Sequence, residues 1–155
     1  MTAMTHSQLA ATLFVDGCLA NVAGAVRGAA PIEPVVLTEL ERNDIGLKQG
    51  GHTLFYPLPP TGVFVDLDGA TATVWFNQAD ANRALDVVEP AMKRAFPRTR
   101  QLDDMAHPKD HGIRARGYEI DFGNGRMASV VIEYPERGAP PARFSMRVLA
   151  QQRGR

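Results

Sequence analysis

The sequence predicts an α+β domain in which an antiparallel sheet of about six or seven strands carries two main helices on one face. Two stretches repeat apolar residues at helical spacing, and several shorter ones alternate apolar and polar residues as half-buried strands do. The elements follow the order helix, three or four strands, helix, three strands, without the strand and helix alternation typical of a parallel sheet. The 155 residues are expected to form one domain, 1–155, with flexible ends at 1–6 and 151–155.

The composition argues against several classes of protein. Lys and Arg number 17 and Asp and Glu number 17, so the formal net charge of zero gives no general reason to bind nucleic acid or an anionic membrane. A single cysteine cannot close an intrachain disulfide, which fits a reducing cytoplasm. No apolar stretch has the uninterrupted length of a transmembrane helix, and residues 1–8 lack the basic residues of a signal peptide. We therefore expect a cytoplasmic protein that binds neither membrane nor nucleic acid.

The first predicted helix covers the most apolar part of the chain, from Leu9 to Val26. Ser7 is a suitable N-terminal cap, and Gly28 follows the end of the apolar pattern. Cys18 lies inside this stretch and is expected to be a small core residue, because a reactive thiolate needs a cationic neighbour.

A hairpin is the clearest local signal in the first half of the chain. Two β-rich runs flank Asp68-Gly69, the preferred chemistry of a tight turn. The alternating residues expected to share the apolar face of this hairpin are Val63, Val65, Leu67, Ala72, Val74 and Phe76. Further upstream, Val35 to Leu40 is compatible both with a strand and with a helical turn after Pro34.

The second predicted helix follows the hairpin. Asn77 to Asp80 has the form of a capping box, and an apolar stripe runs from Ala81 to Phe96. Pro90 lies inside this helix and removes one backbone hydrogen bond. The next residues, 98–112, are predicted to be a polar connection.

This polar connection holds the densest set of potential metal ligands in the chain, namely Asp104, His107, Asp110 and His111. Two histidines and a carboxylate can hold iron or, together with water, zinc. The same residue types are also common in turns, and Pro108 interrupts the helical spacing of the two histidines. The pattern supports an alternative function as a small metal-dependent hydrolase or oxygenase. The main interpretation expects no cofactor.

The last third of the chain predicts an antiparallel meander of three strands. Arg116 to Phe122 and Arg126 to Tyr134 alternate around the turn Gly123-Asn124-Gly125, and a final strand places Phe144, Met146 and Val148 on one face.

The neutral total charge hides an asymmetry along the chain. Residues 1–75 contain three basic and seven acidic residues, a net charge of −4, whereas residues 76–155 contain fourteen basic and ten acidic residues, a net charge of +4. A basic face on the C-terminal sheet is therefore a candidate site for a phosphate, a carboxylate or an acidic partner. Its candidate residues are Arg116, Arg126, Arg143 and Arg147. Alternatively, these arginines only pair with acidic residues on neighbouring strands.

No catalytic motif occurs in a fitting structural context, so the sequence favours a small bacterial-type binding module without catalysis over an enzyme. The element order is similar to that of small secretion chaperones and of other bacterial helix-on-sheet binding domains. This resemblance of architecture implies a chaperone-like role. We expect the protein to hold a protein partner or a small anionic ligand on its C-terminal sheet. We also expect a homodimer, formed through the sheet edge or the first helix.

Overall fold

The computed structural model describes residues 4–24, 30–47, 52–68, 71–77, 81–106, 112–136 and 143–151, and within them it shows an α+β fold. The strands are β1 (Val35–Val36), β2 (His52–Leu58), β3 (Thr61–Asp68), β4 (Thr71–Asn77), β5 (Thr99–Ala106), β6 (Ile113–Asp121), β7 (Met127–Pro135) and β8 (Arg143–Gln151). These eight described strands form one antiparallel sheet in the order β1-β2-β3-β4-β8-β7-β6-β5. None of the described helices has the length and apolar character needed to cross a membrane.

The N-terminal helix consists of α1 (His6–Thr12), a π-helical segment (Leu13–Leu19) and α2 (Ala20–Ala23). Thr5 caps it: the Thr5 hydroxyl accepts a hydrogen bond from the Gln8 amide, and the Gln8 side chain accepts one from the Thr5 amide. Ser7, the predicted cap, is instead a buried residue of the first turn. The helix ends at Gly24, whose φ of 75° is the left-handed conformation that favours glycine at this position.

The core lies between one face of the sheet and two helices, the N-terminal helix and α4 (Ala84–Ala95), which follows a short 3-10 turn (Ala81–Arg83). Each helix contributes fully buried residues, such as Phe14 and Met92. The sheet supplies alternate residues of its strands, among them Val63, Val65, Val74, Phe76, Ile120, Val130, Ile132, Phe144, Met146 and Val148. Cys18 is also buried in this core, as predicted.

The predicted hairpins are present. Leu67 pairs with Ala72 and Asp68 pairs with Thr71, so residues 69–70, which lie outside the described residues, connect β3 to β4. In the C-terminal meander, β6 and β7 pair around the predicted turn, and Ile120 lies opposite Ala128 with both side chains buried.

Residues 98–112 were wrongly predicted to be a polar connection, since β5 occupies most of this range and pairs with β6 at the edge of the sheet. The register shifts between Gln101 and Asp104, and such a bulge interrupts the two-residue period by which a strand is recognised. The predicted capping box that starts at Asn77 runs through residues 78–80, which lie outside the described residues. Asn77 is the last residue of β4, opposite Arg143, and α4 begins without a side-chain cap.

The ambiguous segment after Pro34 contains both structures: the two-residue strand β1 and the short helix α3 (Glu39–Asp44). Helix α3 lies on the sheet face opposite the N-terminal helix and α4, which we call the outer face. Its Arg42 is buried, with 2% of its surface exposed, and donates a hydrogen bond of 2.8 Å from Nε to the Thr53 hydroxyl. That hydroxyl donates in turn to the Asp66 carboxylate, also over 2.8 Å.

Candidate functional site

The predicted basic face does not gather its four arginines on one surface. Arg116 pairs with the buried Ile132, so its side chain lies on the helix-covered face of the sheet. Arg143 and Arg147 alternate with the buried Phe144 and Met146 and therefore lie on the outer face. Strand alternation thus separates Arg116 from the other two. The prediction of one shared face was wrong on this point.

Arg116 lies at the centre of a network of hydrogen bonds and ion pairs between β5, β6, β7 and α4. Its Nε and Nη2 donate to the two carboxylate oxygens of Asp104 at 2.5 and 2.9 Å, and its Nη1 donates to Glu89 Oε2 at 2.8 Å. The Tyr118 hydroxyl donates to the same Glu89 oxygen, and the Tyr134 hydroxyl donates to Asp104. We call these five residues the Arg116 network.

The charges within the Arg116 network stabilise one another. Burial alone would raise the pKa of Glu89, but hydrogen bonds from Tyr118, Arg116 and Lys93 outweigh it and hold that pKa below its ordinary value of 4.5. The hydrogen bond from Arg116 lowers the pKa of Asp104 against the opposing effect of burial. Burial and the hydrogen bond to Glu89 raise the pKa of Tyr118 well above its ordinary value. At neutral pH both carboxylates are therefore ionised and both tyrosines protonated, so the network is satisfied internally and joins α4 to the sheet.

The lowered pKa values of Glu89 and Asp104 predict a loss of stability in acid. Their stabilising contribution is complete above the ordinary pKa values of 4.5 and 3.8 and is lost as the pH falls through the lower folded-state values. We expect the free energy of unfolding, measured by urea titration, to decrease below about pH 4.5. Tyr134→Phe removes one donor to Asp104 and should reduce this decrease. An equal decrease in the variant would contradict the role given to Asp104.

Arg126 has a structural position next to the end of the N-terminal helix. Its Nη1 donates to the Val22 carbonyl at 3.3 Å, and the neighbouring Asn124 side chain donates to the Ala23 carbonyl at 2.8 Å. The last carbonyls of a helix lack intrahelical partners and carry partial negative charge, so a cation there is favourable. Arg126 thus caps this helix from the β6–β7 turn.

Of the predicted metal ligands, His107, Asp110 and His111 lie outside the described residues. Asp104 is described, and both of its oxygens accept hydrogen bonds from Arg116. A metal ion at Asp104 would have to displace these bonds and lie beside a guanidinium. Among the described residues there is no group of three or more His, Cys, Asp or Glu side chains that could hold a metal ion.

The outer face is where the remaining two arginines lie. Arg147 pairs with Thr73 on one side and with Val131 on the other. It lines a shallow depression of about 250 Å³ together with Thr71, Ser129, Val131 and Leu149. Leu149 is 47% exposed there, and none of the salt bridges among the described residues involves Arg147. The depression therefore combines an available guanidinium with exposed aliphatic surface.

An aromatic row lies beside this depression on the same face. The rings of Phe55 and Phe64 stack with centroids 4.9 Å apart, and those of Phe64 and Trp75 with centroids 5.2 Å apart. The guanidinium of Arg143 lies 4.9 Å from the centre of the Trp75 ring. Burial lowers the pKa of Arg143, opposed by the attraction of Glu133, but an arginine remains charged at neutral pH. Stacking on Trp75 holds the orientation of the Arg143 guanidinium.

The sequence prediction missed Glu89, Tyr118 and Tyr134 as partners of Arg116. One available signal was the position of Arg116 two residues before Tyr118, on the same strand and hence on the same face. An arginine on the core face of a strand requires a carboxylate partner. The aromatic row was harder to predict from the sequence, because it depends on which strands become neighbours in the sheet.

The chain matches no protein-family model, and comparison with curated proteins and with solved structures found no similar protein.

Proposed function

We propose that this protein is a non-enzymatic, chaperone-like binding module of the cytoplasm, and that its outer face holds a segment of a protein partner that is both acidic and aliphatic. The single observation that carries the proposal is the depression at Arg147. It lies on a face that the N-terminal helix and α4 leave uncovered, and it presents a guanidinium without a described salt-bridge partner next to the exposed Leu149.

The chemistry of the depression favours this class of partner. A guanidinium donates two parallel hydrogen bonds to a carboxylate, which a peptide supplies through Asp or Glu. Leu149 and Val131 offer apolar contact next to that bond, so a leucine or valine beside the acidic residue buries its side chain there. Arg143, oriented by Trp75, lies on the same strand and adds positive charge.

The interactions of Arg116 and Arg126 support the assignment of the binding site to the outer face. Arg116 is bound to two carboxylates, and Arg126 is bound to helix carbonyls. A ligand that used either of them would break existing interactions. Arg147 and Arg143 are therefore the residues of the predicted basic set that the proposal retains.

Binding can be measured with a fluorescein-labelled peptide of alternating Glu and Leu. We expect the fluorescence anisotropy of this peptide to rise on titration with dilute protein, and the affinity to fall with added salt. Arg147→Glu should weaken binding at least tenfold, because it replaces attraction with repulsion at the centre of the depression.

Two controls accompany this titration. A peptide of alternating Lys and Leu should bind poorly, and Arg83→Glu, which reverses the charge of an exposed arginine before α4, should bind the Glu-Leu peptide like the wild type. Equal binding of the two peptides, or no effect of Arg147→Glu, would overturn the proposal. Binding of inorganic phosphate with no binding of the peptide would indicate a small anion as the ligand instead.

A further inference from the structure

The chain itself carries a segment of the chemistry proposed for the partner. In α3, Leu40 lies between Glu39 and Glu41, and Asp44 and Ile45 follow one turn later. Leu40 is 71% exposed, the highest value among the large hydrophobic residues described, and Ile45 is 47% exposed. The one basic residue of the helix, Arg42, is buried and bound to Thr53. The exposed surface of α3 is therefore aliphatic with an acidic rim, in which Glu39 also pairs with Arg42 and Glu41 also accepts a hydrogen bond from the Thr38 amide.

The orientation of α3 directs this surface away from its own sheet. Arg42 points toward the sheet, where it reaches Thr53 and Asp66. Leu40 precedes Arg42 by two residues, which corresponds to about 200° around a helix of 3.6 residues per turn. The Leu40 side chain thus projects outward on the same side of the molecule as the outer face.

Helix α3 and the depression lie at the same height along the strands. The register places Thr53, Asp66, Thr73 and Arg147 in one row across β2, β3, β4 and β8. Arg42 is bonded at the Thr53 end of this row, and Arg147 forms its other end. With neighbouring strands about 4.8 Å apart, the two ends are separated by roughly 14 Å.

We propose that the occupant of the depression is α3 of a second copy of this chain, an inference that rests on the proposed function and names its partner. A two-fold axis parallel to the strands, above the boundary between β3 and β4, turns one outer face toward the other. Because α3 and the depression lie at equal height on opposite sides of that boundary, the same rotation brings each α3 over the partner's depression. The result is a closed dimer with two identical contacts, the commonest symmetry of soluble oligomers.

Charge complementarity favours this arrangement over contacts between like surfaces. Each contact brings the acidic rim of α3 to the partner's Arg147 and places Leu40 against the partner's Leu149 and Val131. Two α3 helices packed on each other would instead bring Glu39, Glu41 and Asp44 of both copies together. The acidic and basic halves of the neutral sequence are thus complementary within the dimer.

The dimer is tested by sedimentation velocity and light scattering over a range of protein concentrations. We expect a wild-type mass of about twice 16.9 kDa. Leu40→Arg and Arg147→Glu should each lower the mass to that of one chain, because each creates a repulsive contact on both sides of the axis. Mixing the two variants should restore the dimer, since Arg at position 40 then faces Glu at position 147 and the second contact is native.

Val36→Arg is the matched control for Leu40→Arg. Val36 is 60% exposed and aliphatic, but it pairs with Leu54, which in turn pairs with the buried Val65, and so it points to the helix-covered side of the sheet. This variant should dimerise like the wild type. A monomeric wild type, a dimer unaffected by Leu40→Arg, or masses that grow beyond two chains would each overturn the inference.

The same variants separate failure of the dimer from failure of the proposed function. Leu40→Arg leaves its own outer face free and should bind the Glu-Leu peptide at least as tightly as the wild type. A monomeric wild type that still binds this peptide through Arg147 would leave the proposed function standing without the dimer. If Arg147→Glu still dimerises and still binds the Glu-Leu peptide, both the dimer and the proposed function are refuted.

Discussion

Arg116→Met is expected to lower the free energy of unfolding by about 3 kcal/mol at neutral pH. Methionine retains the apolar part of the side chain but removes the guanidinium that separates Glu89 from Asp104. Both carboxylates are partly buried, with 20% of each side chain exposed, and leaving a partly buried charge without its partner is costly. Urea unfolding followed by circular dichroism measures the loss. The cost should shrink in acid, as the pH falls through the lowered pKa values of the two carboxylates and they become protonated.

Arg100→Met is the control for this measurement. Arg100 also binds a carboxylate, Glu119, at 2.6 Å, but its side chain is 69% exposed. Exposed ion pairs contribute about 0–1 kcal/mol, so this variant should be close to wild type. Similar losses in the free energy of unfolding for Arg116→Met and Arg100→Met would show that the Arg116 network stabilises the fold no more than an exposed ion pair does.

Gly62→Ala is expected to destabilise the protein by roughly 2 to 3 kcal/mol. A Cβ atom at position 62 would lie 2.4 Å from the Tyr56 carbonyl oxygen and 2.5 Å from a carbon of the Phe55 ring. The Phe55 ring cannot move freely, because it stacks on Phe64. Either the β2–β3 pairing or the aromatic row must shift. The thermal unfolding midpoint of the variant gives the size of the effect.

Gly17→Ala provides the contrast. Position 17 lies in the N-terminal helix, and a Cβ atom there would meet nothing within 4 Å. Alanine at an unstrained helical glycine stabilises by about 0.5–1 kcal/mol, mainly through the unfolded chain. We therefore expect the two glycine variants to change stability in opposite directions. A stable Gly62→Ala protein would contradict the close approach of Phe55 and Tyr56.

Local alternation and turn chemistry were sufficient to predict most of the sheet. The hairpin around residues 63–76 and the C-terminal meander have short connections, so the pattern of neighbouring residues fixes their register. The same alternation predicts which residues of each strand are buried, such as Val65 and its pairing partner Val74. By contrast, the bulge at Gln101 to Asp104 breaks the period of β5, so the sequence pattern concealed that strand.

The candidate site was less predictable, because it depends on tertiary neighbours. Arg116 and Arg147 both lie in strands that alternate apolar and polar residues. The face of the sheet on which each side chain lies decides that Arg116 joins a salt-bridge network and that Arg147 lies on the open outer face. The partnership of Glu89 with Arg116 requires α4 to pack against this part of the sheet, which no local pattern encodes. The burial of Arg42 likewise depends on α3 lying over Thr53.

The order of the strands in the sheet also requires one pairing between strands that are far apart in sequence. Six of the seven pairings join strands that are consecutive among the described strands. In five of these six the two strands are separated by seven residues or fewer, and only β1 and β2 are further apart, with residues 37–51 between them. Only β4 and β8 must find each other across the sequence, bringing Thr71 to Leu149. Closing so long a loop costs entropy before any contact is gained. The two four-stranded halves can therefore form early and independently, and their joining at β4 and β8 is expected to set the folding rate.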